Sequence, residues 1–400
     1  MPAWVYKVGN SVTKRGQFTK LTIHSSSPVA APARRASRFC SVPAILLAMT
    51  SFSQVLVAAS DQVHGSLVIQ IADYFAENRS ETRYFIQSQP GRTYELLFAA
   101  TPRGDLRTGM VVTGRGHINQ GFLEAAEIIA TESAPSPKIS HPPASSPLTR
   151  MSLPAITPSS GVQKTLVYVL QSATTQSDPN DFTNSQLNDI MFAQSGISVN
   201  TSYQENSFGS VSFAGDVVGP YIVTVPTTCD VNMIKSQGDV AAKAAGVDIG
   251  DYERLVYMMP MMPKEMYELK LCTFGGISTL GGNPSVSWIN TGGFWSSQPE
   301  IYGVLQHELG HALNMSHAQA IKADGSLIEY GDYSCLMGGG IYSFVSFNVP
   351  HLIQEGWLPL SNIQQVSVSG IYQVAFAEQQ TTFVQSLQIV PPGTTDALYV

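Results

Sequence analysis

The sequence predicts an α+β or α/β protein: a principal domain with a mixed twisted sheet and one long helix that carries its most distinctive motif, preceded by a small β domain and followed by β strands. Three observations predict it. Residues 165–170 and 255–259 are continuous apolar runs with the length of buried strands. Stretches of helical period, 181–192 and 230–244, alternate with them. Residues 61–131 instead alternate apolar and polar positions between turn residues such as Pro90 and Gly91.

In chain order, the first element is a basic arm. The chain has 400 residues, 44% of them apolar and 13% charged, which is ample for two or three packed domains. Of its 22 Lys/Arg and 29 Asp/Glu, seven basic and no acidic residues lie in 1–39, which leaves 15 basic against 29 acidic residues beyond. An acidic body argues against nucleic-acid partners. After the arm, residues 42–59 form an apolar segment interrupted by Thr50, Ser51, Ser53 and Gln54 and ending in small residues near Ala59. Residues 1–60 therefore read as a basic arm plus secretory signal, with an uncleaved signal anchor and an organelle transit peptide as the competing readings. The expected location is extracellular; a membrane enters only if 42–59 is an anchor.

The small β domain (61–131) has strand patterns at 66–71, 84–87, 93–98 and 109–112. Residues 132–161 carry Pro135, Pro137, Pro142, Pro143, Pro147, Pro154 and Pro158 among serines, the composition of an extended linker. A β domain on such a linker ahead of a larger domain suggests a propeptide, the alternative being an accessory domain. There is no cysteine between Cys40 and Cys229, so a prosegment here would need an Asp, a His or simple steric cover to keep the site latent. Cys229 and Cys272 flank a compact stretch and can pair in an export compartment, which leaves Cys335 as a buried thiol. Asn78-Arg79-Ser80 and Asn200-Thr201-Ser202 are glycosylation acceptors on export.

The third region, 162–357, continues with β-like residues at 194–220, a glycine-rich run at 275–282 without the Lys-Ser/Thr of a phosphate loop, and an alternating strand at 285–290. Ser297, Pro299 and Glu300 form a helix-start signal, with Ser297 as N-cap. The helix that follows carries His307-Glu308-Leu309-Gly310-His311, with His317 six residues on. Histidines four apart share a helix face and can hold one Zn²⁺ between them. Glu308 stands where it can take a proton from an activated water, and His317 can supply a third nitrogen while leaving one tetrahedral position open. Chance produces H-E-x-x-H in such a chain about once in 200, and with the third histidine about once in 10⁴. Ile301, Val304, Leu305, Leu309 and Leu313 are expected to face the core. Asn314 falls where the helix must stop for His317 to return, and Asn ranks next to Gly in the left-handed conformation such a stop needs. Met337 lies in the glycine-bearing turn 330–340, where it can floor the three imidazoles or simply fill a core gap. A helix is expected within 347–357, then strands at 365–368, 371–374 and 387–390. The β-rich segment 358–400 ends inside an apolar run, as a truncated segment would.

The motif His307-Glu308-x-x-His311-x-x-Asn314-x-x-His317, followed by Met337, resembles the metzincin clan of zinc endopeptidases, whose pattern is H-E-x-x-H-x-x-G-x-x-H with a Met-turn. Within the clan the chain most resembles the gametolysin family of algal cell-wall metalloproteases. The residues that carry this are Gly303-Val304-Leu305-Gln306, Tyr330-Gly331-Asp332-x-Ser334-x-x-Met337-Gly338, Phe347-Asn348-x-Pro350-His351 and Gly356-Trp357. The span from Cys229 through Tyr252, Tyr257 and Pro260 to Cys272 fits as well. The resemblance covers about 165–400, and Asn314 in place of Gly is its departure. It implies a zinc endopeptidase acting on extracellular-matrix or cell-wall glycoproteins, with His307, His311 and His317 on the metal and Glu308 as general base; calcium dependence stays open. A substrate would add as a strand along 285–290. Asp332 either orders the Met-turn or a ligand histidine, or is a plain turn residue. Two alternatives are a third ligand at Glu329 and a catalytically inactive wall or adhesion protein that kept the zinc fold.

Overall fold

The computed structural model describes residues 6–12, 18–25, 60–130 except 90 and 103, 159–173, 182–260, 272–290, 298–390 except 323 and 325, and 397–400. The apolar segment 42–59, nearly all of the linker, and Ser297 with its expected N-cap lie outside the described residues.

Residues 61–130 supply β3 (Asp61–Tyr74), β4 (Arg79–Ser88), β5 (Arg92–Phe98), β6 (Val111–Asn119) and β7 (Phe122–Ala130), numbered after a hairpin of β1 (Tyr6–Val12) and β2 (Phe18–Ser25). The order β4-β5-β7-β6-β3, closed by pairing of β4 with β3, makes a five-stranded barrel. Its inward positions Leu67, Ile69, Ile86, Leu96, Val112 and Leu123 are buried.

The second unit contains β8 (Gly161–Ser172), α1 (Asn184–Phe192), α2 (Val199–Asn206), β9 (Val211–Val223), α3 (Val231–Ala244), β10 (Arg254–Met258), β11 (Gly276–Thr279), β12 (Ser285–Ile289) and α4 (Gln298–Ala312). Strands β12, β10, β8 and β9 are parallel neighbours, and β11 is antiparallel to β12 at the edge. The apolar run of β8 is explained by cover on both faces: Val167 and Val169 pack with α1, α2 and α4, while Leu166, Tyr168 and Leu170 pack with α3. This is a mixed α/β protein, as the sequence predicts in general terms.

The structure alters two readings and adds one strand. Residues 194–220 are not all β-like: Ser198 accepts from Thr201 N, and the Thr201 side chain returns to Ser198 N, so a capping box starts helix α2. The glycine-rich run contains strand β11, whose Gly276 and Ser278 pair with Ile289 and Ser287. Asn200 is also no glycosylation acceptor in the folded chain. It is fully buried, its amide donates to Ala193 O (3.2 Å), and its carbonyl accepts from Phe213 N (2.9 Å).

The two units are joined by β3. Its first half pairs with β6, and residues Gln70 to Asp73 pair antiparallel with β11. The barrel and the catalytic sheet are therefore one ten-stranded sheet. At the C-terminal side, short β13 (Ala320–Ile321) and β14 (Leu327–Ile328) and α5 (Val349–Gln354) precede β15 (Ile363–Val366), β16 (Gly370–Ala375), β17 (Ser386–Ile389) and β18 (Leu398–Tyr399). Strand β16 pairs with β2. No described helix is long and apolar enough to cross a membrane.

Candidate metal centre

Helix α4 buries Ile301, Val304, Leu305, Leu309 and Leu313 in the main core, which turns His307, Glu308 and His311 toward β11. All three of these polar residues are fully buried. The helix stops as its sequence suggests: Asn314 has φ 77°, its N–H donates to His311 O (2.7 Å), and Met315 N donates to Gly310 O (2.9 Å). These two bonds are the pair that closes a helix through a left-handed residue. The chain then doubles back and brings His317 to the other histidines.

Each imidazole is held by its Nδ1. His307 Nδ1–H donates to Leu336 O (2.7 Å), His311 Nδ1–H to Met315 O (2.7 Å) and His317 Nδ1–H to Glu329 Oε1 (2.6 Å). Carbonyls only accept, so at His307 and His311 Nδ1 carries a proton and Nε2 is the ring atom turned to the cluster. The three Nε2 atoms converge, with His311 and His317 Nε2 3.0 Å apart.

A residue from outside this unit completes the cluster. Asp73, at the end of β3 and fully buried, places Oδ1 2.9 Å from His317 Nε2, and Oδ2 3.2 Å from His311 Nε2 and 3.4 Å from His307 Nε2. Asp73, His307, His311 and His317 thus form a group able to hold a metal ion. The fit is chemical as well as geometric. Ligands about 2.0–2.1 Å from a tetrahedral zinc stand roughly 3.3 Å from one another, which matches these separations. Ring nitrogens facing a carboxylate need a cation or a proton between them. Without a metal, burial would lower His317, but Asp73 and Glu329 outweigh it and lift it to about 9. One proton does not serve the whole cluster: His307 Nε2 has no hydrogen-bond partner, and burial takes His311 down to about 4. Burial likewise opposes ionisation of Asp73, yet the three histidines hold its carboxyl well below the ordinary value.

Glu308 lies beside this cluster with neither carboxylate oxygen hydrogen-bonded. Burial, then the adjoining Asp73 carboxylate, pushes it well above the ordinary value. Gly276 of β11 makes room for it, since a Cβ there would lie 1.9 Å from Glu308 Oε1. Met337 is fully buried beneath the helix, where a Cβ on Gly310 would meet its sulfur at 2.4 Å. The same turn supplies Leu336 O to His307.

Asp332 does not reach a ligand histidine. Its Oδ1 accepts from Ser334 N (2.9 Å) and Oγ (2.6 Å), and Oδ2 accepts from Asn348 (3.0 Å), so it shapes the turn that leads to Met337. Glu329 sits behind His317 rather than in the cluster, and is held by Gln319 and Ser80. That position suits a group that orients His317 and does not suit a third ligand. Strand β12 is flanked by β10 and β11, so no substrate strand can add along 285–290; β11, the strand beside the histidines, lies between β12 and β3. Cys229 and Cys272 are disulfide-bonded, and Cys335 is a buried free thiol.

Sequence reasoning missed Asp73, Gly276 and Tyr330, whose hydroxyl donates to Asp73 Oδ1 (2.8 Å). The available signal for Asp73 was a lone acid at the end of the apolar run Val68-Ile69-Gln70-Ile71-Ala72.

Three imidazoles aimed at one point, with an unpaired buried carboxylate beside them, are the equipment of a metal-dependent hydrolase. The chain belongs to the gametolysin peptidase family, M11: the model of that family matches residues 164–392, more than half of the chain. It is thus a metalloendopeptidase. No curated protein matches it. The family match runs from β8 past β17 and excludes β3, and so excludes Asp73.

Proposed function

We propose that the chain is a secreted, metzincin-like zinc endopeptidase that cleaves proteins or glycoproteins of an extracellular matrix or cell wall. The observation that carries the reading is the convergence of the three Nε2 atoms beside Glu308. His307, His311 and His317 would hold the zinc, their Nδ1 partners fixing ring orientation and tautomer. When bound, zinc supplies a Lewis acid that acidifies water and polarises the scissile carbonyl.

The other steps belong to the protein. Glu308 takes the proton of the attacking water and returns it to the departing amine. Its unpaired oxygens and buried setting keep it basic enough for both tasks once Asp73 is not beside it. Once β3 has left it, the freed side of β11 binds the peptide in extended form through main-chain hydrogen bonds. Met337 and Gly310 set the depth of the helix under the imidazoles. The parallel strands β9, β8, β10 and β12 with antiparallel β11 at the edge, and the αL stop after the second histidine, support the metzincin-like reading. The export reading rests on the basic arm, the apolar segment and the Cys229–Cys272 bond.

Glu308→Gln tests the assignment. With both proteins cut between β7 and β8 and freed of β3, the variant is expected to lose casein or gelatin hydrolysis by at least about 100-fold relative to wild type while keeping one zinc per chain by elemental analysis. Undiminished proteolysis in that variant would remove Glu308 as the base.

A further inference from the structure

Strand β3 covers the side of β11 that β12 leaves free. It pairs antiparallel with β11, the strand beside the histidines, from Gln70 opposite Thr279 to Asp73 opposite Gly276. Gly275 N donates to Asp73 O (2.7 Å) and Leu280 N to Ile69 O (2.8 Å). At the end of this pairing the Asp73 carboxylate enters the histidine cluster. The segment beyond it packs on the site as well. Phe75 stands edge-on to His307, with ring centroids 5.2 Å apart, and Ser80 donates to Glu329 (3.0 Å), the carboxylate behind His317. Tyr330 Oη spans the two units, its one hydrogen shared between Asp73 Oδ1 (2.8 Å) and Arg79 O (3.1 Å).

We propose that Asp73 is the fourth ligand of the metal in the intact chain, and that β3 with the turn after it is an internal blocking segment seated in the substrate's place. The proposal rests on the reading of the three histidines as metal ligands. The Nδ1 atoms of His307 and His311 donate to main-chain carbonyls, so both rings turn Nε2 to the Asp73 carboxylate. A buried carboxylate oxygen 3.2–3.4 Å from these two nitrogens stands at the separation of ligands that share one tetrahedral zinc. With the carboxylate in the fourth position, no site is left for a reacting water. With β3 on β11, no edge is left for a peptide. Residues 61–161 contain no cysteine, so a thiol cannot fill this role, whereas an aspartate on the last paired residue can. Activation then requires β3 to leave β11, and the Pro/Ser-rich stretch between β7 and β8 is where the sequence would admit a cut.

The test uses the full chain loaded with cobalt(II), whose visible spectrum reports the ligands around the metal, and acetohydroxamate as a chelating probe. A latch closed in about 99% of molecules weakens probe binding roughly 100-fold. The wild-type spectrum is therefore expected to stay unchanged at acetohydroxamate concentrations that saturate Asp73→Ala and the near-isosteric Asp73→Asn. Both variants are expected to retain one metal per chain and to show an altered spectrum before the probe is added. Ready binding of acetohydroxamate to the wild-type chain would overturn the proposal without reference to any variant. Identical spectra and affinities in all three chains would overturn it too. A wild-type chain that takes up no cobalt would overturn the histidine assignment underneath, an outcome separate from a metal-loaded but open site.

Discussion

Gly276 and Gly310 carry no functional group, yet each stands where a site side chain has taken the room of a Cβ. Gly276 makes way for Glu308 and Gly310 for the sulfur of Met337. Another residue outside the cluster has an electrostatic part. Glu355, fully buried, accepts long hydrogen bonds from Ser159 N and Gln354, both at 3.4 Å, and burial raises its pKa to about 7. Because its pKa in the folded chain lies above the ordinary carboxylate value, the protonated form is the one folding favours. The stability this contributes is full below about pH 4.5 and is lost as the pH rises through about 7. Glu355→Gln should therefore be the more stable protein at pH 8, by roughly 3 kcal/mol. It should also show a flatter stability profile between pH 5 and pH 8 in urea titrations. Equal pH dependence of the two proteins would show that Glu355 is ionised in the fold.

Helix α4 works because its end is as well defined as its face. Asn314 at φ 77° lets the chain turn back within three residues, and Gln354 of α5 donates to Asn314 O (2.7 Å). Fully buried Met315 closes the turn, and His351, held neutral by burial at about 4, donates from Nε2 to Ser316 O (2.9 Å). The segment that carries His317 is thereby pinned from α5. A side chain with a Cβ in the left-handed region costs about 1–2 kcal/mol unless it is Asn or Gly. Asn314→Ala should lower the unfolding free energy by that amount and weaken metal retention. Asn314→Gly should leave both within about 0.5 kcal/mol of wild type. Denaturant melts of the zinc-loaded proteins distinguish the two outcomes.

At the scale of the whole molecule, β3 is the element shared by the barrel and the catalytic sheet, and the metal cluster draws on both. Binding of a metal to such a cluster stabilises every element that supplies a ligand. Chelation should lower the melting temperature of the full chain in a single cooperative step, and added zinc should restore it. The change corresponds to about 2.7 kcal/mol when free zinc exceeds its dissociation constant 100-fold. Barrel and catalytic unit melting at separate temperatures, with only the latter moved by chelator, would indicate that the metal does not couple them.

His307, Glu308, His311, His317, Asn314 and Met337 were legible in the sequence because their relations are local. Helical spacing aligns the first histidines, a left-handed residue ends the helix, and a turn rich in glycine carries the methionine. The strands β8, β10 and β12 were legible for the same reason, since their runs of apolar residues or their alternation report how many faces are covered. Helix α2 was missed because side-chain hydrogen bonds of Ser198 and Thr201, not hydrophobic period, start it. Strand β11 was missed because its Gly276 answers to a carboxylate on another element. Asp73 lies 238 residues before His311, and nothing near it in the chain says that β3 will pair with β11. The sequence by itself determined the three histidines, the neighbouring glutamate and the helix that carries them. Which edge of the sheet the cleft uses, and which residue fills it, was decided only by tertiary structure, because strand pairing is chosen by main-chain groups that every residue shares.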